Sequence, residues 1–212
     1  MIGRIKDKFK KVFAPIARVF ASSKVPPNFI TLLGPIVAGV AAFMYFQGEL
    51  LFAVLLLLLS GFVDALDGAV ARVQGKVTPF GGVFDSICDR YSDAIVIFGV
   101  ILGGWCSPFW GILALIGSLL VSYSRARAEA AGVSQLGVGI AERPERLIIL
   151  MVMTIFQYLT SLGFIPAPLS FFEITLWLEY GIILIAVLAH ITVVQRTVSA
   201  YRALARLTME PK

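Results

Sequence analysis

Apolar residues fill most of this chain in blocks long enough to cross a bilayer, and the polar residues gather in a few places between them. A crossing helix needs about 20 mainly apolar residues. By that measure six stretches qualify: 29–47, 50–71, 84–104, 108–130, 145–164 and 172–200. The second, with its run LLFAVLLLLLSGFV, is the least ambiguous. Only Gln47-Gly48-Glu49 separates the first two, which predicts antiparallel neighbours. Over residues 1–25 the pattern changes. Ile2, Ile5, Phe9, Val12, Phe13, Ile16, Val19 and Phe20 recur at three- and four-residue steps, with Arg4, Lys6, Lys8, Lys10 and Lys11 on the other faces. That spacing predicts an amphipathic helix lying in the interface, its lysines toward anionic membrane lipids. No apolar run there reaches the length of a signal-peptide core, and no small-residue cleavage site follows. Pro26-Pro27-Asn28 ends the helix and turns the chain into the bilayer. The expected organisation is thus an interfacial helix over 1–25 followed by a six-helix membrane domain over 26–212, an all-α integral membrane protein. The last helix is expected to outrun the membrane, because Gln195, Arg196, Arg202 and Arg206 continue it as a basic, water-facing stretch.

Composition agrees and excludes the alternatives. The 212 residues are 58% hydrophobic and 15% charged, with a mean hydropathy of +0.89. Soluble domains hold about 45–50% apolar and about 25% charged residues, and disordered, collagenous or coiled-coil chains fail on the same numbers. Cys88 and Cys106 lack CxxC spacing, so neither a disulfide framework nor a zinc site is encoded, and His190 is the single histidine. Cys88 and His190 read most simply as packing residues. Eighteen Lys and Arg against thirteen Asp and Glu leave a net charge of +5. In a membrane protein that excess reports orientation and anionic headgroups, not nucleic acid. With the N-terminus in the cytoplasm, the outer loops fall near 47–50, 103–109 and 161–175, and none contains Lys or Arg. The expectation is a multi-pass protein of the cell membrane with both termini, and the mouth of any polar site, facing the cytoplasm. Trp105, Trp110 and Trp177 fit an outer interfacial belt.

Polar cost then singles out one region. Asp64 and Asp67 close the second stretch, and Asp85 and Asp89 open the third. An ionised carboxylate in the hydrocarbon costs at least about 2.5–3.5 kcal/mol, so four of them unpaired would cost on the order of 10 kcal/mol. Spacings of i,i+3 and i,i+4 put each pair on one helix face, and two antiparallel helices can join the pairs into a four-carboxylate cluster. An all-oxygen site selects a hard cation: Mg²⁺, Mn²⁺ or Ca²⁺. Two such ions would neutralise four carboxylates and form a clamp for phosphoryl displacement. Gly68 and Gly81-Gly82 let a ligand approach the backbone, and Arg72 can fork two phosphate oxygens. The alternative is a cation or proton pathway through a transporter, since intramembrane acids mark those as well. Asp93 reads as structural, pairing with Arg90 or capping the polar cluster.

The string Asp64-x2-Asp67-Gly68-x2-Ala71-Arg72-x8-Gly81-x3-Asp85-x3-Asp89 resembles the signature of the CDP-alcohol phosphatidyltransferases at every fixed position. The resemblance extends to the six stretches, the interfacial helix and a Pro27-Asn28-x2-Thr31 lead-in. It implies displacement of CMP from a CDP-linked lipid by an alcohol hydroxyl, with Mg²⁺ or Mn²⁺. It implies that Asp64, Asp67 and Asp85 bind metal, and that Asp89 binds metal and takes the acceptor proton. Asn28, Thr31, Gly68, Ala71, Arg72, Thr78 and Gly81 would hold the CDP-lipid, and the enzyme would be a homodimer. No suitably placed Ser or Cys nucleophile is present, which favours direct in-line attack.

A second constellation bears on the acceptor. Arg125 and Arg127 end the fourth stretch, and Glu142-Arg143-Pro144-Glu145-Arg146 opens the fifth. They read either as ordinary ion pairs, Arg125–Glu129 and Glu142–Arg146 both being i,i+4, or as a phosphate site for an acceptor such as inositol phosphate or glycerol phosphate. Tyr123–Glu129 with Gly139–Leu147 resembles the branch of the family that makes phosphatidylinositol phosphate or archaetidylinositol phosphate. A glycerol phosphate acceptor, as in phosphatidylglycerophosphate synthases, is the close second.

Overall fold

The computed structural model describes residue 19 and residues 25–135, 137–168 and 176–209. These form six α-helices: α1 (Pro27–Gln47), α2 (Leu50–Gln74), α3 (Pro79–Leu102), α4 (Pro108–Ala130), α5 (Arg143–Ser161) and α6 (Trp177–Met209). The amphipathic helix expected over 1–25 lies outside the described residues, residues 19 and 25 excepted, as does the expected start of the last stretch at 172–175.

Local sequence sets the boundaries. α1, α3 and α4 begin on Pro27, Pro79 and Pro108, whose missing N–H is no loss in a first turn. α3 therefore starts at Pro79 rather than at 84, and Thr78 caps it by accepting the Gly81 N–H at 3.0 Å. α2 runs on to Gln74 and closes at Gly75, whose φ of +64° suits glycine. There Lys76 N–H donates to the Ala71 carbonyl (2.9 Å) and Gly75 N–H to that of Arg72 (3.3 Å), a paired C-terminal cap. The same pair of bonds ends α4 at Gly132.

Among the described residues, four helices are long and apolar enough to cross a membrane: α1, α2, α4 and α6 as far as Arg206. α3 and α5 fall short because of their charges. α3 carries Asp85, Asp89, Arg90 and Asp93, and α5 opens with Arg143, Glu145 and Arg146.

The chain divides into two compact units, one of the described residues up to Met44 with Phe52–Val96, the other of Tyr45–Leu51 with the described residues from Ile97 onward. In the first, Ile30, Leu66 and Val70 form a buried cluster with Val25, Phe62, Val63 and Ala69 against it. Gln74 Nε2 donates to the Val25 carbonyl (3.0 Å) and Ser60 Oγ to that of Gly34 (3.3 Å), tying α2 to the lead-in of α1 and to α1 itself. α1 turns Phe29, Leu32, Ile36, Val40 and Phe43 outward and keeps Ala38, Ala41 and Ala42 inside. That inversion suits lipid, where large apolar side chains gain nothing by hiding and small ones let backbones approach.

In the second unit α6 packs along α4 and α5. Leu178, Ile182, Ile185, Ala186, Ala189, Thr192 and Arg196 form its buried stripe. Gly117 of α4 faces that stripe, where a Cβ would stand 2.9 Å from Ala189 Cβ. Tyr45 Oη and Thr154 Oγ1 share a buried hydrogen bond of 2.6 Å, and Glu179 accepts the Ser107 N–H at 2.9 Å. Beside Glu179, burial pushes the Cys106 thiol up to about 12, so it stays protonated at any physiological pH.

The stripe also corrects the expectation that Arg196 faces water: it is only 3% exposed. Its Nε and Nη1 donate to the carbonyls of Val138 (2.8 Å) and Val121 (2.7 Å), and Nη2 pairs with Glu142 Oε1 at 2.9 Å. A guanidinium so fully bonded can be buried, and its five fixed donors can serve three acceptors at once. Arg202 and Arg206, further along, are exposed as expected.

Candidate active site

The end of α2 and the start of α3 build a cavity of about 240 Å³. Its walls hold all seven residues expected to contact a CDP-lipid: Asn28, Thr31, Gly68, Ala71, Arg72, Thr78 and Gly81. Asp67, Asp85, Pro27, Lys76, Val77 and Gly82 complete the lining. Two glycines shape it. A Cβ on Gly68 would stand 3.3 Å from Arg72 Nη1, and one on Gly81 would stand 3.1 Å from Thr78 Oγ1 and 3.6 Å from Asn28 Oδ1. Each bare backbone thus makes room for the polar group above it.

The four aspartates separate into a group and a neighbour. Asp64 on α2 and Asp85 and Asp89 on α3, all half-buried, each place a carboxylate oxygen within 4.8 Å of the others. Asp67 does not join that trio. It is 6% exposed on the cavity wall, where the Thr31 hydroxyl and the Gly68 N–H face it, while its Oδ2 has no hydrogen-bond partner. Thr31 also donates to the Pro27 carbonyl at 3.2 Å, holding the lead-in of α1 beside the cavity. Three convergent carboxylates with an orphaned fourth nearby suit a hard divalent cation, since all donors are oxygen and like charges at this spacing repel without one.

Asp89 also receives Arg90 Nη1 at its Oδ2 (3.2 Å), and that nitrogen donates to the Ser86 carbonyl at 3.0 Å. This bond between neighbours was not foreseen, the expected partner of Arg90 being Asp93. Lys76 was missed as well. The readable signal for it is Gly75, which ends α2 and turns the next residue into the cavity wall.

The four arginines of the second constellation have unequal surroundings. Arg125 pairs with Glu129 (2.9 Å), as its i,i+4 spacing predicts, and Arg127 is exposed. Arg143 is half-buried at the start of α5. Arg146 is 5% exposed and donates to the Ala141 carbonyl at 2.9 Å. Glu142 pairs with Arg196, and Ala141 N–H donates to Thr192 Oγ1 (3.1 Å), so α6 fixes the loop that opens α5. Arg196 was missed as a member of this polar mouth. It falls four residues after Thr192 on the buried stripe, a periodicity legible in the sequence.

A family model described as CDP-alcohol phosphatidyltransferase matches residues 24–191. The chain is 38% identical over 209 residues to an archaetidylinositol phosphate synthase from Pyrococcus horikoshii, covering 99% of this chain and 100% of that protein. Its structure is similar to the crystal structure of the Mycobacterium tuberculosis phosphatidylinositol phosphate synthase with CDP-DAG bound. That match has a TM-score of 0.77 and 32% identity, covering 90% of this chain and 94% of the other. The same mycobacterial enzyme in complex with manganese and citrate matches with a TM-score of 0.74 and 32% identity, covering 89% and 88%.

Proposed function

Because the chain belongs to the CDP-alcohol phosphatidyltransferase family, we propose that it transfers the phosphatidyl or archaetidyl group of a CDP-linked lipid to a hydroxyl of inositol phosphate, releasing CMP. One observation carries the reading: the cavity that gathers all seven expected donor contacts also holds Asp85 of the carboxylate trio. The names of the relatives support inositol phosphate as the acceptor. Membership of a transferase family sets aside an ion pathway.

The donor's cytidine and diphosphate occupy the cavity, with Gly68 and Gly81 admitting them against the backbone and Arg72 on the phosphate oxygens. Asp64, Asp67, Asp85 and Asp89 hold divalent metal, two ions by their charge, and the manganese of the mycobacterial structure supports that class of ion for Mg²⁺ or Mn²⁺. Metal bound there supplies charge neutralisation of the diphosphate and of departing CMP. Asp89 takes the proton of the acceptor hydroxyl. The hydroxyl oxygen bonds to the lipid-bearing phosphorus as that phosphorus loses its bond to CMP, in line and without a covalent enzyme intermediate. Arg143 and Arg146, with Arg125 and Arg127 at the rim, bind the acceptor's own phosphate.

In the membrane, α3 and α5 cross with the other four helices, both termini and the polar mouth face the cytoplasm, and a homodimer is the working unit. Bases absent from the outer loops support that orientation. The test uses purified protein, CDP-archaeol or CDP-diacylglycerol, Mn²⁺ or Mg²⁺, and a panel of inositol phosphate, glycerol phosphate, serine and inositol. CMP release fastest with inositol phosphate is the expected result. Preference for glycerol phosphate would move the assignment to the phosphatidylglycerophosphate branch, and no CMP with any acceptor would overturn it.

A further inference from the structure

Arg90 has no place in the mechanism above, yet its geometry is specific. Successive residues on a helix point about 100° apart and do not normally face each other. Arg90 nevertheless folds back along α3, and a single nitrogen, Nη1, meets the Ser86 carbonyl at 3.0 Å and Asp89 Oδ2 at 3.2 Å. The Ser86 bond, to a carbonyl one turn back, anchors the guanidinium to the backbone of α3 itself. Its hold on Asp89 is therefore referred to the helix rather than to another movable side chain. The pair is partly sheltered, with side chains 32% and 17% exposed for Arg90 and Asp89.

We propose that Arg90 is a positioning residue for the transfer reaction: it fixes the rotation of the Asp89 carboxylate, so that the group meets the acceptor hydroxyl in one orientation. The proposal rests on Asp89 being the base. A carboxylate turning about its side-chain bonds presents its lone pairs in many directions, and the Arg90 bond to Oδ2 narrows that range. A cation beside the Asp64–Asp85–Asp89 trio also opposes divalent binding by Coulomb repulsion. Retaining one there makes sense when it does something other than assemble the metal site.

Two measurements on the full chain in detergent separate these roles: steady-state CMP release, and calorimetric titration with Mn²⁺ alone. Arg90→Gln should lower kcat by about tenfold or more, with the KM for the CDP-lipid within about twofold of wild type. Mn²⁺ should bind that variant as tightly as wild type or more tightly. Arg90→Lys, which keeps the charge without the planar fork, should recover part of the lost kcat. A kcat for Arg90→Gln within about twofold of wild type would overturn the proposal. So would a loss of kcat matched by a loss of Mn²⁺ affinity, which would make Arg90 a support of the metal site. Asp89→Asn is run alongside: if that variant still releases CMP, the base assignment itself has failed, whatever Arg90 does.

Discussion

Asp89 answers to two demands that pull against each other. Sitting among Asp64 and Asp85 it would offer oxygen to a cation, and in its proposed role as base it must keep enough electron density to accept a proton. Replacing it by Asn preserves shape and removes basicity. Asp89→Asn should therefore cut CMP release by at least about 100-fold, while calorimetry still detects CDP-lipid binding at the cavity. Of the four acidic positions, helical spacing alone identifies the faces they share but not which carboxylates converge. Asp67 lies three residues after Asp64 and still stands apart, on the cavity wall it shares with Thr31 of α1. That distinction depends on where α1 lies, which the local pattern of α2 does not contain.

At the scale of elements, much was legible because glycine and proline punctuate this chain strongly. The six helices follow the apolar blocks, and α4 starts and stops at 108 and 130 as expected. What hydrophobicity hides is the polar first turn of a helix. α3 was placed from 84 because Pro79, Gly81 and Gly82 dilute the apolar pattern, whereas Thr78-Pro79 is itself a helix start. Thr78 consequently has a structural duty besides any contact with the donor. Thr78→Ala should cost about 1 kcal/mol through the lost cap, read as a lowered Tm, and raise the CDP-lipid KM. Thr78→Ser, which keeps the hydroxyl, should restore the cap and most of the donor affinity.

At the scale of the whole molecule, the placement of the bases is plain in the sequence, since residues 47–50, 103–109 and 161–175 contain no Lys or Arg. The burial of individual arginines was not readable from charge counts. Arg196 and Arg146 are buried against backbone carbonyls, Arg143 is half-buried, and Arg127 is exposed. These environments separate two kinds of loss. Arg143→Ala should raise the inositol phosphate KM. Arg146→Ala should raise that KM and also lower Tm, because it leaves the Ala141 carbonyl without its donor. Equal KM values in wild type and both variants would leave these residues as scaffold alone. The outward row of Phe29, Leu32, Ile36, Val40 and Phe43 on α1 has a consequence for how such numbers are measured. A protein that wears its large apolar residues outside shares a two-dimensional phase with its lipid donor. The donor's concentration is then its mole fraction among lipid and detergent molecules, and adding inert detergent slows the reaction at constant molarity. Inositol phosphate, arriving from water, is counted per volume, so the two substrates of one transfer obey different units.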